Sequence, residues 1–292
     1  MSSLNLISRL FLVLLLIGFQ PLWGKAQGKG FSVKKGLVYS EPEDSRLTLD
    51  LYLPEKPATP LPCIVVIQGG GFMAQTGQRF RPFAEHFAQN GFAAALISYR
   101  GRPDHTYKDT MEDMNAAVRF LRKNAESHHI DPSRIGAMGR SAGGTLAALL
   151  AVTAEGPDRI QAAAGIAGVY DFVSRFTSKE QLTLQPKSET KIQTNGEWIG
   201  SDWLADMGPW KDASAITHID KSDPPLLLLH AKDDRTVPWM QSRDLHHAMI
   251  KLGIQSELSL SESGGHSGPK DSKEQMVNFF RKTLDHKAPP SN

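Results

Sequence analysis

The sequence predicts an α/β protein: a mostly parallel, twisted sheet with helices on both faces and a small insertion over the site. Three observations carry that expectation. Short apolar runs recur along the chain, stretches with helical spacing lie between them, and the continuous apolar run at 63–67 has the composition of a strand covered on both faces. With 292 residues, 40% of them hydrophobic and 22% charged, the chain can bury a full core, and a single domain over 30–286 is expected.

Taken in order, residues 46–53 alternate, with Leu47, Leu49, Leu51 and Leu53 on one face and Thr48, Asp50 and Tyr52 on the other. That is the period of a half-buried strand, expected at an antiparallel edge. After Pro62 comes Cys63-Ile64-Val65-Val66-Ile67, and further strands are expected at 92–97, 134–138, 162–167, 225–230 and 255–260. Helices are read from apolar stripes: Phe80, Phe83, Ala84 and Phe87; Met111, Met114, Val118 and Leu121; Leu245, Met249 and Leu252; Met276, Phe279, Phe280 and Thr283. Strands alternating with helices imply right-handed crossovers, with ligands bound at the carboxyl ends of the strands. Residues 172–221 break the rhythm, being long, polar and punctuated by Pro186, Gly196, Gly200, Gly208 and Pro209. They read as an insertion over the site, in which Trp198, Trp203 and Trp210 either pack a small lid or offer stacking faces to a sugar. Residues 287–292 read as a frayed tail.

The formal net charge of +2, from 33 basic and 31 acidic residues, is too even to build the positive field that a phosphate backbone requires, so nucleic acid is not an expected partner. The single cysteine, Cys63, lies in an apolar run and reads as a small buried hydrophobe. At the amino terminus, Arg9 precedes an apolar stretch over 10–19, with small residues at Gly24 and Ala26. This pattern predicts a signal peptide over 1–26, cleaved after Ala26, and therefore a secreted or periplasmic protein with no stable membrane insertion after the leader is removed. An uncleaved anchor is the competing reading, because Pro21-Leu22-Trp23 blurs the end of the apolar core. Nothing in the sequence sets an oligomeric state.

Chemistry concentrates at strand ends. Gly139-Arg140-Ser141-Ala142-Gly143 follows the apolar segment at 135–138 and precedes the apolar segment at 145–150, giving strand, tight turn and helix. A serine on such a turn is held in a strained backbone that projects its hydroxyl above the sheet, and the helix amino terminus places positive partial charge where an oxyanion forms. Gln68-Gly69-Gly70-Gly71-Phe72 directly follows the buried run, and its glycine amides, at Gly70 and Gly71, are expected to act with that of Ala142 as an oxyanion hole. Asp233 and Asp234 follow the apolar strand at 225–230, and one of them reads as a triad acid. A metal site is not expected there, since no His or Glu at ligand spacing accompanies them. Of the ten histidines, His266 alone is read as sitting on a loop, after Gly264-Gly265, that can reach the serine. His128, His129, His246 and His247 read as solvated surface residues, and His86 lies near the end of an amphipathic helix. No cofactor is expected.

The order Ser141, acid, His266 is the one that α/β-hydrolases use. Through Gln68-Gly69-Gly70-Gly71-Phe72, Ser98-Tyr99-Arg100, the segment 130–135, the serine turn, the segment 213–218, Asp223-Pro224-Pro225 and Val237-Pro238, the chain resembles the bacterial carbohydrate-esterase and hormone-sensitive-lipase-like branch of that superfamily, near the feruloyl and acetylxylan esterases. The resemblance runs from about 47 to about 284. It implies the α/β-hydrolase fold, Ser141 as nucleophile and His266 as base. It also implies Asp234 as the acid, three residues before the Val-Pro pair, and a small-molecule or polysaccharide ester as substrate. Gln68 departs from the family's usual histidine, whose side chain mainly braces the loop, and Ala231 replaces a usual glycine.

Overall fold

The computed structural model describes residues 30–284 other than Lys187 and Leu204; the expected leader at 1–26 and tail at 287–292 lie outside the described residues. In chain order, the strands are β1 (Phe31–Ser40), β2 (Leu47–Pro54), β3 (Leu61–Ile67), β4 (Ala93–Ile97), β5 (Ile130–Arg140), β6 (Ala162–Ile166), β7 (Leu226–Ala231) and β8 (Ser256–Ser261). The helices are α1 (Arg81–Gln89), α2 (Tyr107–Lys123), α3 (Ala142–Thr153), α4 (Ser174–Thr177), α5 (Lys179–Leu184), α6 (Glu189–Ile199), α7 (Gly208–Asp212), α8 (Met240–Lys251) and α9 (Ser272–Leu284). Among the described residues no helix is long and apolar enough to cross a membrane.

One eight-stranded sheet runs in the order β1-β2-β4-β3-β5-β6-β7-β8. The pairings of β1 with β2 and of β2 with β4 are antiparallel. All the others are parallel. The expected mostly parallel α/β sheet is therefore the observed one, with one correction: β2 is an inner strand, and the antiparallel edge is β1. The hydrophobic pattern of β1 hides it, because only Phe31 and Tyr39 are buried and two register shifts against β2 break the alternation.

Side-chain alternation along the strands splits the core into two layers. Cys63, Val65 and Ile67 point into the layer with Met114, Val118 and Leu121 of α2, Leu146 and Leu150 of α3, and Leu245 and Met249 of α8. Ile64 and Val66 point into the layer with Ala84 and Phe87 of α1 and Met276, Phe279 and Phe280 of α9. Every residue of β3 is buried, as its uninterrupted apolar run requires. Cys63 is fully buried, and loss of hydration pushes its thiol up to about 12, so it packs as a hydrophobe.

From β3 the chain crosses to β4 on one side, and from β5 it crosses to β6 on the other. The crevice between their carboxyl ends is therefore a topological switch point, where open α/β sheets bind ligands. The glycine loop leaves β3 there and Ser141 leaves β5 there, with Ile67 and Gly139 as register partners.

The underside of this crevice depends on tight packing of α9. A Cβ at Gly136 would lie 2.9 Å from the Phe280 ring, which also makes an edge contact with Phe87 at 5.8 Å. Phe280→Ala is expected to cost about 3–5 kcal/mol in denaturant unfolding by opening a cavity under β5; a loss below about 1 kcal/mol would mean that the site does not rest on this contact.

Candidate active site

Ser141 occupies the turn between β5 and α3 with φ 57° and ψ −126°, a positive φ that a side-chain-bearing residue rarely adopts. Close packing enforces it. A Cβ on Gly139 would lie 2.2 Å from the Gly143 carbonyl carbon, and a Cβ on Gly143 would lie 2.1 Å from the Ile67 carbonyl oxygen. Only glycines let strand and helix meet at that distance, and the serine between them is lifted out of the sheet.

The Ser141 hydroxyl is 2.8 Å from His266 Nε2, and His266 Nδ1 is 2.8 Å from Asp234 Oδ2. The three side chains singled out in the sequence thus converge into one hydrogen-bonded relay. Asp234 Oδ1 accepts the amides of Thr236 at 2.7 Å and Val237 at 3.2 Å. Burial pushes the Asp234 carboxyl upward, but the hydrogen bonds from His230, His266 and Thr236 outweigh it and hold the group well below the usual carboxylate range. It is a fixed anion opposite His266 Nδ1. Asp233 serves the loop instead of the imidazole, since its Oδ1 accepts the Gly265 amide at 2.7 Å and ties the histidine loop to the acid turn.

His230 is the residue that reading along the chain did not credit. It is fully buried at the end of β7, with Nε2 3.1 Å from Asp234 Oδ2 and Nδ1 2.8 Å from Ser242 Oγ. Asp234 Oδ2 is therefore shared by two imidazoles. The signal was present as a polar residue ending an apolar strand four positions before the acid. His128 and His246, expected to be solvated, are half-buried and hydrogen-bonded to Lys34 and Ser256; His129 and His247 are exposed.

The glycine loop lies against the nucleophile: a Cβ on Gly69 would sit 3.1 Å from the Ser141 Cβ. The amides of Gly70 and Gly71 donate to no protein acceptor among the described residues, and Ala142 is the first residue of α3, whose opening amides have no intrahelical partner. Gln68 braces the loop, as expected of that position. It is 3% exposed, its Oε1 accepts the Arg79 amide at 2.7 Å, its Nε2 donates to Gln75, and its carbonyl accepts the Tyr99 hydroxyl. Ala231 is buried at the end of β7, and a Cβ at Gly264 would stand 3.3 Å from its methyl group; its carbonyl still accepts the Asp234 amide at 3.1 Å, so the acid turn forms.

Residues 172–221 carry α4 to α7 and grip both halves of the site. Trp198, Trp203 and Trp210 are all buried, so they pack and present no stacking face to a ligand. Trp198 stacks on Phe72 at 4.0 Å, Arg102 bridges the Gly71 carbonyl at 2.8 Å and Glu197 at 2.8 Å, and Arg175 and Lys191 both donate to the Thr236 carbonyl at 3.1 Å. Burial pulls the Arg175 guanidinium down to about 10 against the opposing charge of Asp234.

Such an arrangement delivers a serine alkoxide equivalent beside free amides, which is the equipment of acyl transfer. The family model BD-FAE matches residues 49–249. The chain belongs to the BD-FAE family. This BD-FAE chain is 31% identical over 194 residues to a probable carboxylic ester hydrolase, LipM, of Mycobacterium tuberculosis, covering 62% of this chain and 43% of LipM. The curated relatives are named carboxylic ester hydrolases and esterases, and the chain spans about half their length. Among solved structures it superposes on a truncated carbohydrate esterase from gut microbiota with a TM-score of 0.77, at 24% identity and covering 88% of this chain and 98% of that one. An esterase from Thermogutta terrifontis superposes with a TM-score of 0.70 at 28% identity, covering 90% and 95%. Together with the sheet topology, these likenesses establish the α/β-hydrolase fold.

Replacing His230 by leucine is expected to destabilise the protein by about 2–3 kcal/mol, since Asp234 Oδ2 and Ser242 Oγ each lose a partner in a buried setting. Denaturant unfolding measures it, and a change under about 0.5 kcal/mol would show that His230 contributes nothing there.

Proposed function

We propose that this BD-FAE member is an exported serine hydrolase that cleaves carboxylic esters through an acyl-enzyme, with acyl groups on carbohydrate as its substrates. The observation that carries the reading is the relay from Ser141 through His266 to Asp234, with both contacts at 2.8 Å, built on a strained turn. Ser141 Oγ attacks the ester carbonyl while His266 Nε2 takes its proton. Asp234 fixes the tautomer with the other proton on Nδ1 and stabilises the imidazolium. The amides of Gly70, Gly71 and Ala142 receive the developing oxyanion. His266 then returns the proton to the leaving alcohol, and water repeats the sequence on the acyl-enzyme to release the acid and regenerate Ser141.

Two features support a bulky alcohol. The family resemblance lies toward carbohydrate esterases, and the His266 side chain keeps 31% of its surface exposed, so the leaving-group side is open to solvent. A second reading, a short-chain carboxylesterase acting on plain alkyl esters, is favoured by the Thermogutta terrifontis esterase, whose structures include propionate- and butyrate-bound forms. Export rests on the leader-like segment at 1–26.

Ser141→Ala is expected to lower turnover of 4-nitrophenyl acetate and release of acetate from acetylated xylan by about a million-fold with the fold intact. A fluorophosphonate probe should label the wild type alone. Residual activity near the wild-type level would overturn the serine mechanism, and hydrolysis of the nitrophenyl ester without acetate release from xylan would favour the second reading. Export predicts that the protein recovered outside the cytoplasm begins after Ala26; recovery of the full-length chain in the membrane fraction would overturn cleavage.

A further inference from the structure

Arg140 immediately precedes the nucleophile, and its side chain leaves β5 on the face shared with α1 and α9. Strand alternation fixes this: Met138 lies in that layer, and Arg140 is the register partner of Ile166, which lies there too. The guanidinium stands 5.2 Å over the Phe80 ring, which closes one side. The histidine loop packs on the neighbouring strand, since a Cβ on Gly268 would lie 2.7 Å from Ile166 Cγ2. The guanidinium therefore stands beside Phe80, on the sheet face where Ile166 meets the loop that carries His266.

Its partners are what set it apart. Among the described residues, every other buried or half-buried arginine has an acceptor, as Arg100 has in Asp113, Arg102 in Glu197, Arg175 in the Thr236 carbonyl and Arg243 in Glu180. Among the described residues Arg140 has no hydrogen-bond or ion-pair partner, and none of its nitrogens is sealed from solvent. Gln68, which follows the neighbouring strand β3, is held by Gln75 and the Arg79 amide. Burial pulls the guanidinium downward, and no neighbouring carboxylate offsets it. A half-desolvated cation of this kind recovers its lost solvation from a planar anion, and a carboxylate matches the guanidinium fork with two charge-assisted hydrogen bonds.

We propose that Arg140 anchors an anion subsite beside Ser141, and that the preferred ester carries a carboxylate close to the scissile bond, as on a uronic-acid unit or a dicarboxylic acyl group. The inference rests on the hydrolase reading and names the substrate class of that same site. Arg140 acts as a specificity determinant: it holds the substrate while Ser141, His266 and Asp234 carry out the chemistry.

The test compares kcat/KM for wild type, Arg140→Gln and Arg140→Lys on matched pairs. One pair places the charge on the acyl side, mono-4-nitrophenyl glutarate against 4-nitrophenyl valerate. The other places it on the alcohol side, acetylated glucuronic acid against acetylated glucose. Wild type is expected to prefer the carboxylate member of one pair, which identifies the side. Arg140→Gln should reduce that preference ratio by about tenfold or more, chiefly through KM, and Arg140→Lys should retain part of it because the charge persists without the fork. Added salt should erode the wild-type preference. No carboxylate preference in either pair, or the same ratio in wild type and Arg140→Gln, overturns the subsite while leaving the hydrolase reading intact. Failure of the wild type to hydrolyse any of the four esters, with Ser141 unlabelled by a fluorophosphonate, overturns both.

Discussion

The site depends on one steric constraint, the contact of β3, β5 and α3 at Gly139, Gly143 and Ile67. Strand and helix come so close there that a methyl group on either glycine would collide with backbone at about 2.2 Å. The chain can make that turn only by placing Ser141 at a positive φ, a conformation that costs on the order of 1–3 kcal/mol for a residue with a side chain. Two fully buried layers, anchored by α2 and α3 above and by α1 and α9 below, hold the strain in place. In return the hydroxyl stands clear of the sheet, at the switch point, next to the glycine loop.

Around that fixed point the remaining groups are positioned by cross-links that span large distances in the sequence. The acid turn is gripped from three directions. His230 and Ser242 support Asp234 from within the core, Asp233 fastens the histidine loop at Gly265, and Arg175 and Lys191 from the segment 172–221 hold the Thr236 carbonyl. The glycine loop is held by Gln68, Tyr99, Arg102 and the Phe72 contact with Trp198. The segment 172–221 thus serves both sides of the crevice. Its tryptophans are occupied by this packing.

The sequence and the structure agree best where the determinant is local. The uninterrupted apolar run of β3, the stripes of α1, α2, α8 and α9, and the serine turn were all legible, because periodicity and turn chemistry act over a few residues. β1 escaped because an edge strand with two register shifts needs only two buried anchors. The role of His230 escaped because a histidine inside an apolar strand declares its partner only when the acid turn folds back over it. The three tryptophans left two readings open, and burial closed the question, since amphipathic rings look the same in a sequence whichever face they present.

The sequence by itself therefore determined the α/β alternation, the strained serine turn and the chain order of the three relay residues, since each is written in neighbouring positions. The tertiary structure alone decided that the relay closes at 2.8 Å, that Asp234 answers to two imidazoles, and that Arg140 has no acceptor among the described residues. Those facts depend on side chains separated by as many as 125 positions meeting at one rim, and no local pattern encodes such a distance.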